Sequence, residues 1–224
     1  MKKKKALVVL ENPWSTNGKF SHECSVKPFL TGLKELEGDF DLLYATFFDL
    51  GSFSKALELY IDGSYEKYVL YVAAHGETNE IAGIKDRKLL YGGITPVAEA
   101  QNLEGVLFGS CLFGSKTAKL EELLRDTRLC WTIGYRHSVD WFSGTLLDLA
   151  ILKEMLCLRK RDIEDRETIL EKVRKALGLF NQDAIVGTDK EKQPVPLSEL
   201  ISLVIQPSGQ GHKPRDASEE LFAA

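Results

Sequence analysis

The sequence predicts an α/β protein, a three-layer α/β/α sandwich with a mostly parallel central sheet. Three observations lead to this prediction. Short and almost wholly apolar runs, such as Tyr68–Ala74, are typical of strands that are buried on both faces. Segments with apolar residues at helical spacing alternate with these runs along the chain. A length of 224 residues, 44% of them hydrophobic, suits one sizeable globular domain better than two.

Apolar and aromatic runs predict three strands in the first half of the chain, over Ala6–Leu10, Phe40–Asp49 and Tyr68–Ala74. Helices are expected between them. One spans Pro28–Glu37, and the next has Ser52 as its N-cap and runs to Ile61. Beyond the third strand, Ile81–Ile84 and Lys88–Tyr91 are predicted to pair as a hairpin.

The second half of the chain continues the alternation, and Thr95 is predicted to cap a short helix. Two further strands are expected over Val106–Gly109 and Leu129–Tyr135. Longer helices are predicted over Ser115–Arg125, Trp141–Leu158 and Asp165–Phe180, and a last helix or strand within Pro194–Ile205. Residues 1–206 are predicted to form a single domain. Residues 207–224 are rich in Gly, Pro, Ser and charges and are predicted to be a disordered tail.

Charge and hydropathy argue against nucleic-acid and membrane partners. The 29 basic and 33 acidic residues give a net charge of −4, which provides no overall attraction for nucleic acid. Lys2–Lys5 resemble the start of a signal peptide, but only the short apolar run Ala6–Leu10 follows them. A signal peptide needs an apolar run of about 7–15 residues, so the sequence predicts a cytoplasmic protein.

The four cysteines contain no CxxC pair, so no metal site, disulfide scaffold or cofactor is predicted. Cys130 and Cys157 lie in apolar runs and are expected to be buried. Cys24, with His22 nearby, is a weak match to a metal site. Cys111 is different because glycines and small residues surround it.

Chemically active side chains follow two consecutive predicted strands. His75 and Gly76 come directly after the third strand, and Cys111 follows the fourth. Because parallel strands present their carboxyl ends at one edge of a sheet, His75 and Cys111 are expected to lie together. The next helix is expected to begin a few residues after Cys111, where its N-terminal partial charge would favour a thiolate.

This combination is what nucleophilic thiol catalysis requires. An imidazole can take the proton of a thiol and later deliver it to a leaving amine. The backbone amides of Gly76 and Cys111 are candidates for the oxyanion hole, because a glycine lets a substrate carbonyl approach closely. The sequence thus predicts a His75–Cys111 dyad.

At these residues the sequence resembles the caspase-like cysteine peptidases of clan CD, which include caspases, metacaspases, legumains, gingipains, separases and CHAT domains. These proteins share an apolar strand that ends in His-Gly and a later apolar strand that ends in a small residue and Cys. Here the two motifs are YVLYVAAHG (Tyr68–Gly76) and VLFGSC (Val106–Cys111). The segment IAGIKDRKLL (Ile81–Leu90) also resembles the hairpin of CHAT domains. The resemblance covers about Ala6–Leu158.

The resemblance implies a caspase-like sheet and a cysteine endopeptidase acting on protein substrates. His75 would be the general base and acid, Cys111 the nucleophile, and the amides of Gly76 and Cys111 the oxyanion hole. Caspases carry Gln-Ala-Cys with a His about 50 residues upstream. Here Cys111 follows Gly-Ser and lies thirty-six positions after His75, which is closer to the CHAT pattern. The lack of a sensor module suggests, by analogy, activation by a separate protein.

The segment GYRHSVDW (Gly134–Trp141) is expected to set substrate preference. In the family, residues after the strand that follows the nucleophile line the pocket for the residue before the cleaved bond. The segment resembles the Trp-x-Val-Asp segment of CHAT domains, which implies Asp140 as a pocket acid and a basic substrate residue. Arg136 would instead select an acidic residue, and either charge could be an ordinary solvated loop charge. We favour the basic preference.

Two other functions compete with a peptidase. A caspase-like module could bind partners without cleaving them and keep the dyad for packing. The segment Gly109–Thr117 (GSCLFGSKT) also resembles a nucleotide-binding phosphate loop. That motif requires a lysine directly after its second glycine, where this chain has Ser115, so nucleotide binding is the weaker alternative.

Overall fold

A computed structural model describes residues 3–14 and 25–223, which form a large sheet with helices on both faces. The strands are, in chain order, β1 (Lys3–Glu11), β2 (Asp41–Thr46), β3 (Tyr65–Ala73), β4 (Gly76–Glu77), β5 (Glu80–Ile81), β6 (Ile84–Lys85), β7 (Leu103–Gly109), β8 (Trp131–Tyr135), β9 (Ser138–Val139), β10 (Ile185–Thr188), β11 (Pro194–Pro196), β12 (Ile201–Ile205) and β13 (Arg215–Asp216). The helices are α1 (Lys27–Glu37), α2 (Leu50–Tyr60), α3 (Thr95–Ala100), α4 (Thr117–Arg125), α5 (Trp141–Leu156), α6 (Arg166–Leu177) and α7 (Leu197–Leu200).

The central sheet has seven strands in the order β2-β1-β3-β7-β8-β12-β13. The first five are parallel to one another, and β12 and β13 extend the sheet in antiparallel fashion. The strands β9, β10 and β11 form a small separate sheet beside the carboxyl ends of β7 and β8. Parallel pairing sends the carboxyl ends of β1, β3, β7 and β8 to the same edge.

Two apolar cores lie on opposite faces of this sheet because side chains alternate along each strand. In β1, Leu7 and Val9 pack in the core beneath α1, α5 and α6, while Ala6, Val8 and Leu10 pack in the core beneath α2, α3 and α4. Every one of these side chains is fully buried. The predicted three-layer α/β/α sandwich with a mostly parallel sheet is therefore confirmed.

The N-termini of two helices, α2 and α3, differ from the prediction. Asp49, predicted as the end of a strand, is the N-cap of α2 and accepts a hydrogen bond from the Ser52 backbone N–H at 2.7 Å. Ser52 completes this capping box from inside the helix rather than capping it. Thr95 likewise lies inside its helix rather than at the cap, since a π-helical turn over Lys88–Ile94 runs directly into α3.

The antiparallel strands after β3 are formed by earlier residues than the sequence predicts. The strands β4, β5 and β6 form a short antiparallel meander directly after β3. Lys88–Tyr91 instead belongs to the π-helical turn, where Leu89 and Leu90 are buried in the core beneath α2. The error arose because an apolar run of this length is compatible with either a strand or a buried helical turn.

From residue 207 onward, where the sequence predicts a disordered tail, the described residues form ordered contacts. The strand β13 pairs with β12, and Ala217 and Leu221 are buried against the core. The Ser218 hydroxyl accepts a hydrogen bond from the Leu203 backbone N–H at 3.0 Å, and Arg166 forms a bidentate ion pair with Glu220. These contacts come from distant parts of the chain, so local composition does not reveal them. Among the described residues, no helix has the length and apolar character needed to cross a membrane.

Candidate active site

The sheet brings the predicted histidine and cysteine loops to one edge. The strands β3 and β7 are direct neighbours, and Ala73 lies opposite Gly109 at their carboxyl ends. His75 follows two residues after the first strand, and Cys111 two residues after the second. Both loops therefore leave the same edge of the sheet, as expected for consecutive parallel strands.

Gly76 fits closely against the cysteine loop. A Cβ atom at this position would lie 2.6 Å from the Cys111 carbonyl oxygen and 2.7 Å from the Ser110 Cβ, closer than real contacts allow. A residue with a side chain would therefore push the two loops apart. The glycine after the histidine is required by this approach of two backbones, and the approach places Gly76 directly beside Cys111.

The loop that carries Cys111 is held in a strained conformation. Leu112 has a left-handed backbone (φ 62°), which is costly for a residue with a side chain. Its N–H donates to the His137 carbonyl at 3.2 Å, and a 3₁₀ turn over Phe113–Ser115 follows. The helix α4 begins only at Thr117, so it starts two residues later than predicted. The strain and the cross-loop hydrogen bond fix the backbone on the carboxyl side of the cysteine.

The Cys111 thiol is half-buried and contacts strand β9. Its Sγ accepts a hydrogen bond from the Val139 backbone N–H at 3.4 Å, and the thiol donates to the Val139 carbonyl at 3.8 Å. The thiol is thus positioned by the segment that the sequence associates with substrate preference. A Val139 N–H in this place would remain a donor to the sulfur after deprotonation.

The His75 imidazole is exposed and is oriented by Trp14. Its Nε2 lies 3.1 Å from the Trp14 carbonyl oxygen, and the two rings meet edge to face with centroids 4.8 Å apart. A carbonyl only accepts, so Nε2 carries the proton and donates it. In the neutral imidazole this leaves Nδ1 as the free acceptor.

Within the described part of the chain, the thiol and the imidazole are hydrogen-bonded to backbone groups and not to each other. General-base catalysis requires the thiol proton to reach the imidazole directly or through one water. Catalytic hydrogen bonds are often absent before substrate binds, so this arrangement is compatible with a dyad.

Asp140 has a structural role at the start of α5. Its carboxylate accepts hydrogen bonds from the backbone N–H groups of Phe142 (2.9 Å) and Ser143 (3.3 Å), and from the Ser143 hydroxyl. It is therefore the N-cap of this helix. The side chain is nevertheless exposed, and it directly follows Val139, which contacts the Cys111 sulfur.

Arg136 is directed at the segment that the sequence predicted to be disordered. Its guanidinium lies 4.0 Å from the Asp216 carboxylate of β13, and its backbone N–H donates to the Leu200 carbonyl. Burial alone would raise the pKa of Asp216, but hydrogen bonds from Ser218 and Thr117 and the charge of Arg136 lower it below its usual value. Asp216 is a neighbour of the candidate pocket that sequence reasoning missed.

A second missed group lies directly beneath β7, the strand that leads to Cys111. The Asp148 carboxyl of α5 is buried and contacts the hydroxyls of Tyr71 and Tyr135, each at 2.6 Å. Burial raises the pKa of Asp148 to about 7. A Cβ atom at Gly109 would meet both Tyr71 and Asp148 within 2.7 Å. An acidic residue within the largely apolar α5 was the available signal for this cluster.

The remaining cysteines differ in their surroundings. Cys130 is buried as predicted, and burial raises its pKa to about 12. Cys157 is exposed, contrary to the prediction, because it follows the last residue of α5. Cys24 and His22 lie outside the described residues. Within 3–14 and 25–223, no three His, Cys, Asp or Glu side chains gather as metal ligands would.

Comparisons with known proteins show the fold. No protein-family model matches the chain, and no curated protein matches it in sequence. Among solved structures, it is similar to the initiator caspase Dronc of Drosophila, at 13% identity and a TM-score of 0.51 over 90% of this chain and 79% of that one. It is also similar to iotapain, a secreted C11 cysteine protease of Bacteroides thetaiotaomicron, at 12% identity and a TM-score of 0.50 over 92% and 67%. The chain therefore has a caspase-like fold.

Proposed function

We propose that this protein is a cysteine endopeptidase that uses Cys111 as its nucleophile and His75 as its general base and acid. The observation that carries the proposal is the close packing of Gly76 on the Cys111 backbone, at the carboxyl ends of adjacent parallel strands. The fold is that of known cysteine proteases, although at 12–13% identity. The thirty-six positions between His75 and Cys111 resemble the CHAT pattern, which supports a relationship to that branch.

The proposed reaction begins when the thiol proton of Cys111 passes to the Nδ1 of His75, the acceptor left free by the Trp14 carbonyl. The sulfur then bonds to the carbonyl carbon of the scissile peptide bond, and the carbonyl electrons move to oxygen. The N–H groups of Gly76 and Cys111 donate to this oxyanion. When the C–N bond breaks, the imidazolium protonates the leaving amine. Water hydrolyses the thioester and regenerates the thiol.

We also propose a preference for a basic residue before the cleaved bond. Asp140 is exposed and next to Val139, which contacts the nucleophilic sulfur, and the carboxylate could pair with an Arg or Lys of the substrate. Arg136, which would select an acidic residue, already faces the Asp216 carboxylate at 4.0 Å. Its charge is therefore partly compensated, which weakens the acidic preference.

The test of the dyad compares purified wild type with Cys111→Ala and His75→Ala on a library of unblocked peptides. Each substitution should reduce cleavage by about 10³-fold or more, and the double variant should lose little beyond either single variant. Circular dichroism and thermal unfolding should be unchanged, because neither side chain contributes to the core. Full cleavage by Cys111→Ala would contradict the proposal.

A caspase-like module that binds proteins without cleaving them is the second candidate. It is favoured by the hydrogen bonding of Cys111 to Val139 rather than to His75. A thiol-directed covalent peptide inhibitor separates the two functions. Labelling of Cys111 that depends on His75 supports the peptidase, whereas a purely binding module should not show this dependence.

A further inference from the structure

The carboxylate of Glu11, the last residue of β1, collects an unusual number of donors. Only 3% of this residue is exposed. It accepts hydrogen bonds from the Trp14 indole N–H (3.1 Å), the Ser25 hydroxyl (2.7 Å), the Val26 backbone N–H (2.9 Å) and the Tyr44 hydroxyl. A buried carboxylate is costly unless its oxygens are satisfied in this way. The position is therefore built specifically for a carboxylate.

One of these donors belongs to the residue that orients His75. The Oε1 atom of Glu11 holds the Trp14 indole, and the carbonyl of the same tryptophan accepts from the His75 Nε2 at 3.1 Å. The indole also meets the imidazole edge to face. The Asn12 backbone N–H donates to the Ala73 carbonyl at 2.9 Å, which fixes this turn against the end of β3. Glu11, Trp14 and His75 thus form a continuous chain of contacts.

We propose that Glu11 is a positioning residue for His75. By holding the indole, it keeps the Trp14 carbonyl in line with Nε2, so the neutral imidazole carries its proton on Nε2 and presents Nδ1 as the base. The inference rests on the proposed function, because an orienting role matters only if His75 transfers protons. Trp14 then has two roles: its carbonyl accepts the hydrogen bond from Nε2, and its ring packs edge to face against the imidazole.

The alternative is that Glu11 only stabilises the fold. Two matched variants separate these roles, because each deletes one donor to the same carboxylate. Trp14→Phe keeps an aromatic ring but removes the indole N–H. Tyr44→Phe removes the hydroxyl that contacts the other oxygen, Oε2. A purely structural carboxylate should respond to both losses in the same way, whereas a positioning residue should affect His75 only through Trp14.

The first measurement is the ring nitrogen spectrum of ¹⁵N-labelled His75 in the Cys111→Ala background, assigned by comparison with His75→Gln. With the ring neutral, we expect mainly the Nε2–H tautomer in the parent. Glu11→Gln and Trp14→Phe should shift it toward a mixture of tautomers, and Tyr44→Phe should leave it unchanged. If Glu11→Gln fails to fold, Trp14→Phe carries the test. An unchanged tautomer in Trp14→Phe, or an equal shift in Tyr44→Phe, would overturn the proposal.

The second measurement is peptide cleavage with Cys111 intact. Glu11→Gln and Trp14→Phe should lower kcat by about 10- to 100-fold at unchanged KM, because a misplaced base affects proton transfer and not substrate binding. Tyr44→Phe should keep the wild-type kcat. Equal losses in Trp14→Phe and Tyr44→Phe would again overturn the positioning role. A wild type that cleaves nothing while the tautomer shift is observed would refute the peptidase and not the positioning.

Discussion

The hydrogen bonds of Asp148 indicate whether its carboxyl is protonated. The Tyr135 hydroxyl lies 3.1 Å from the Gly144 carbonyl and 2.6 Å from the Asp148 Oδ1, and a hydroxyl has only one proton to donate. If Tyr135 donates to Gly144, the proton between Tyr135 and Asp148 must come from the carboxyl. Full burial raises the pKa of Asp148 to about 7, which agrees with a carboxyl that is neutral below that pH.

This carboxyl should make stability depend on pH. An unfolded Asp titrates near pH ~3.9, whereas folded Asp148 titrates at about 7. Between these values the folded state holds a proton that the unfolded state has lost, so the free energy of unfolding falls as pH rises from about 4 to about 7. The loss attributable to Asp148 is on the order of 4 kcal/mol. Urea denaturation of wild type and Asp148→Asn across this range measures it.

The difference between the two proteins isolates Asp148 from the other carboxylates. Asparagine keeps the shape and can still hydrogen-bond to both tyrosines, but it does not titrate. We expect wild type to lose stability relative to Asp148→Asn as pH rises from about 4 to about 7. If stability depends on pH in the same way for both proteins, the Asp148 carboxyl is already ionised in the folded state over the whole range from about pH 4 to about 7.

At the scale of elements, Asp140 combines a helix cap with a proposed pocket charge, and two substitutions separate these roles. Asp140→Ala removes the N-cap of α5 and should lower the free energy of unfolding by about 1 kcal/mol. Asp140→Ser retains a capping oxygen and should be nearly as stable as wild type, but it lacks the charge.

Peptides that differ only in the residue before the cleaved bond then test the pocket. Asp140→Ser should cleave after Arg and Lys at least about 30-fold more slowly, while cleavage after neutral residues should change little. Arg136→Gln serves as the matched control and should retain the basic preference. Loss of cleavage after Asp in Arg136→Gln, with no effect of Asp140→Ser, would reverse the proposed preference.

Most elements could be predicted from the sequence because their signals are local. Alternating or continuous apolar runs identify β1, β3 and β7, and the His-Gly and Ser-Cys endings mark the two loops of the candidate site. The partners of those loops could not be predicted in this way. Trp14, Val139 and Asp148 reach His75, Cys111 and the tyrosines beneath the site only through the fold. Their hydrogen bonds depend on strand order and register, which no single segment encodes.

The C-terminal segment shows this limit for the whole molecule. Residues 207–213 are polar and exposed for the most part, so their composition is that of a disordered tail. The ordered part further on depends on β12 for pairing, on Leu203 for a hydrogen bond and on Arg166 for an ion pair. A few buried residues, Ala217 and Leu221 among them, are sufficient because the sheet and α6 are already in place.

Leu221→Ala tests whether this segment stabilises the protein. The side chain is 4% exposed and packs in the core beneath α6, so its truncation should cost about 2 kcal/mol or more in unfolding free energy. Lys213→Ala, in the exposed part of the same segment, is the matched control and should change stability by less than about 0.5 kcal/mol. Urea denaturation measures the free energy of unfolding of both variants. Equal stability of the two variants would support the disordered tail that the sequence predicts.

The position of β12 has a consequence for synthesis of the chain. This strand pairs with β8 but begins sixty-six positions after Tyr135, where β8 ends. On the ribosome, β8 therefore emerges long before its partner and leaves an unpaired edge next to β7, the strand that leads to Cys111. Open edges of this kind pair readily with other chains. Translation that pauses before Ile201–Ile205 has emerged would therefore leave a nascent protein that is prone to associate through β8, beside the candidate active site.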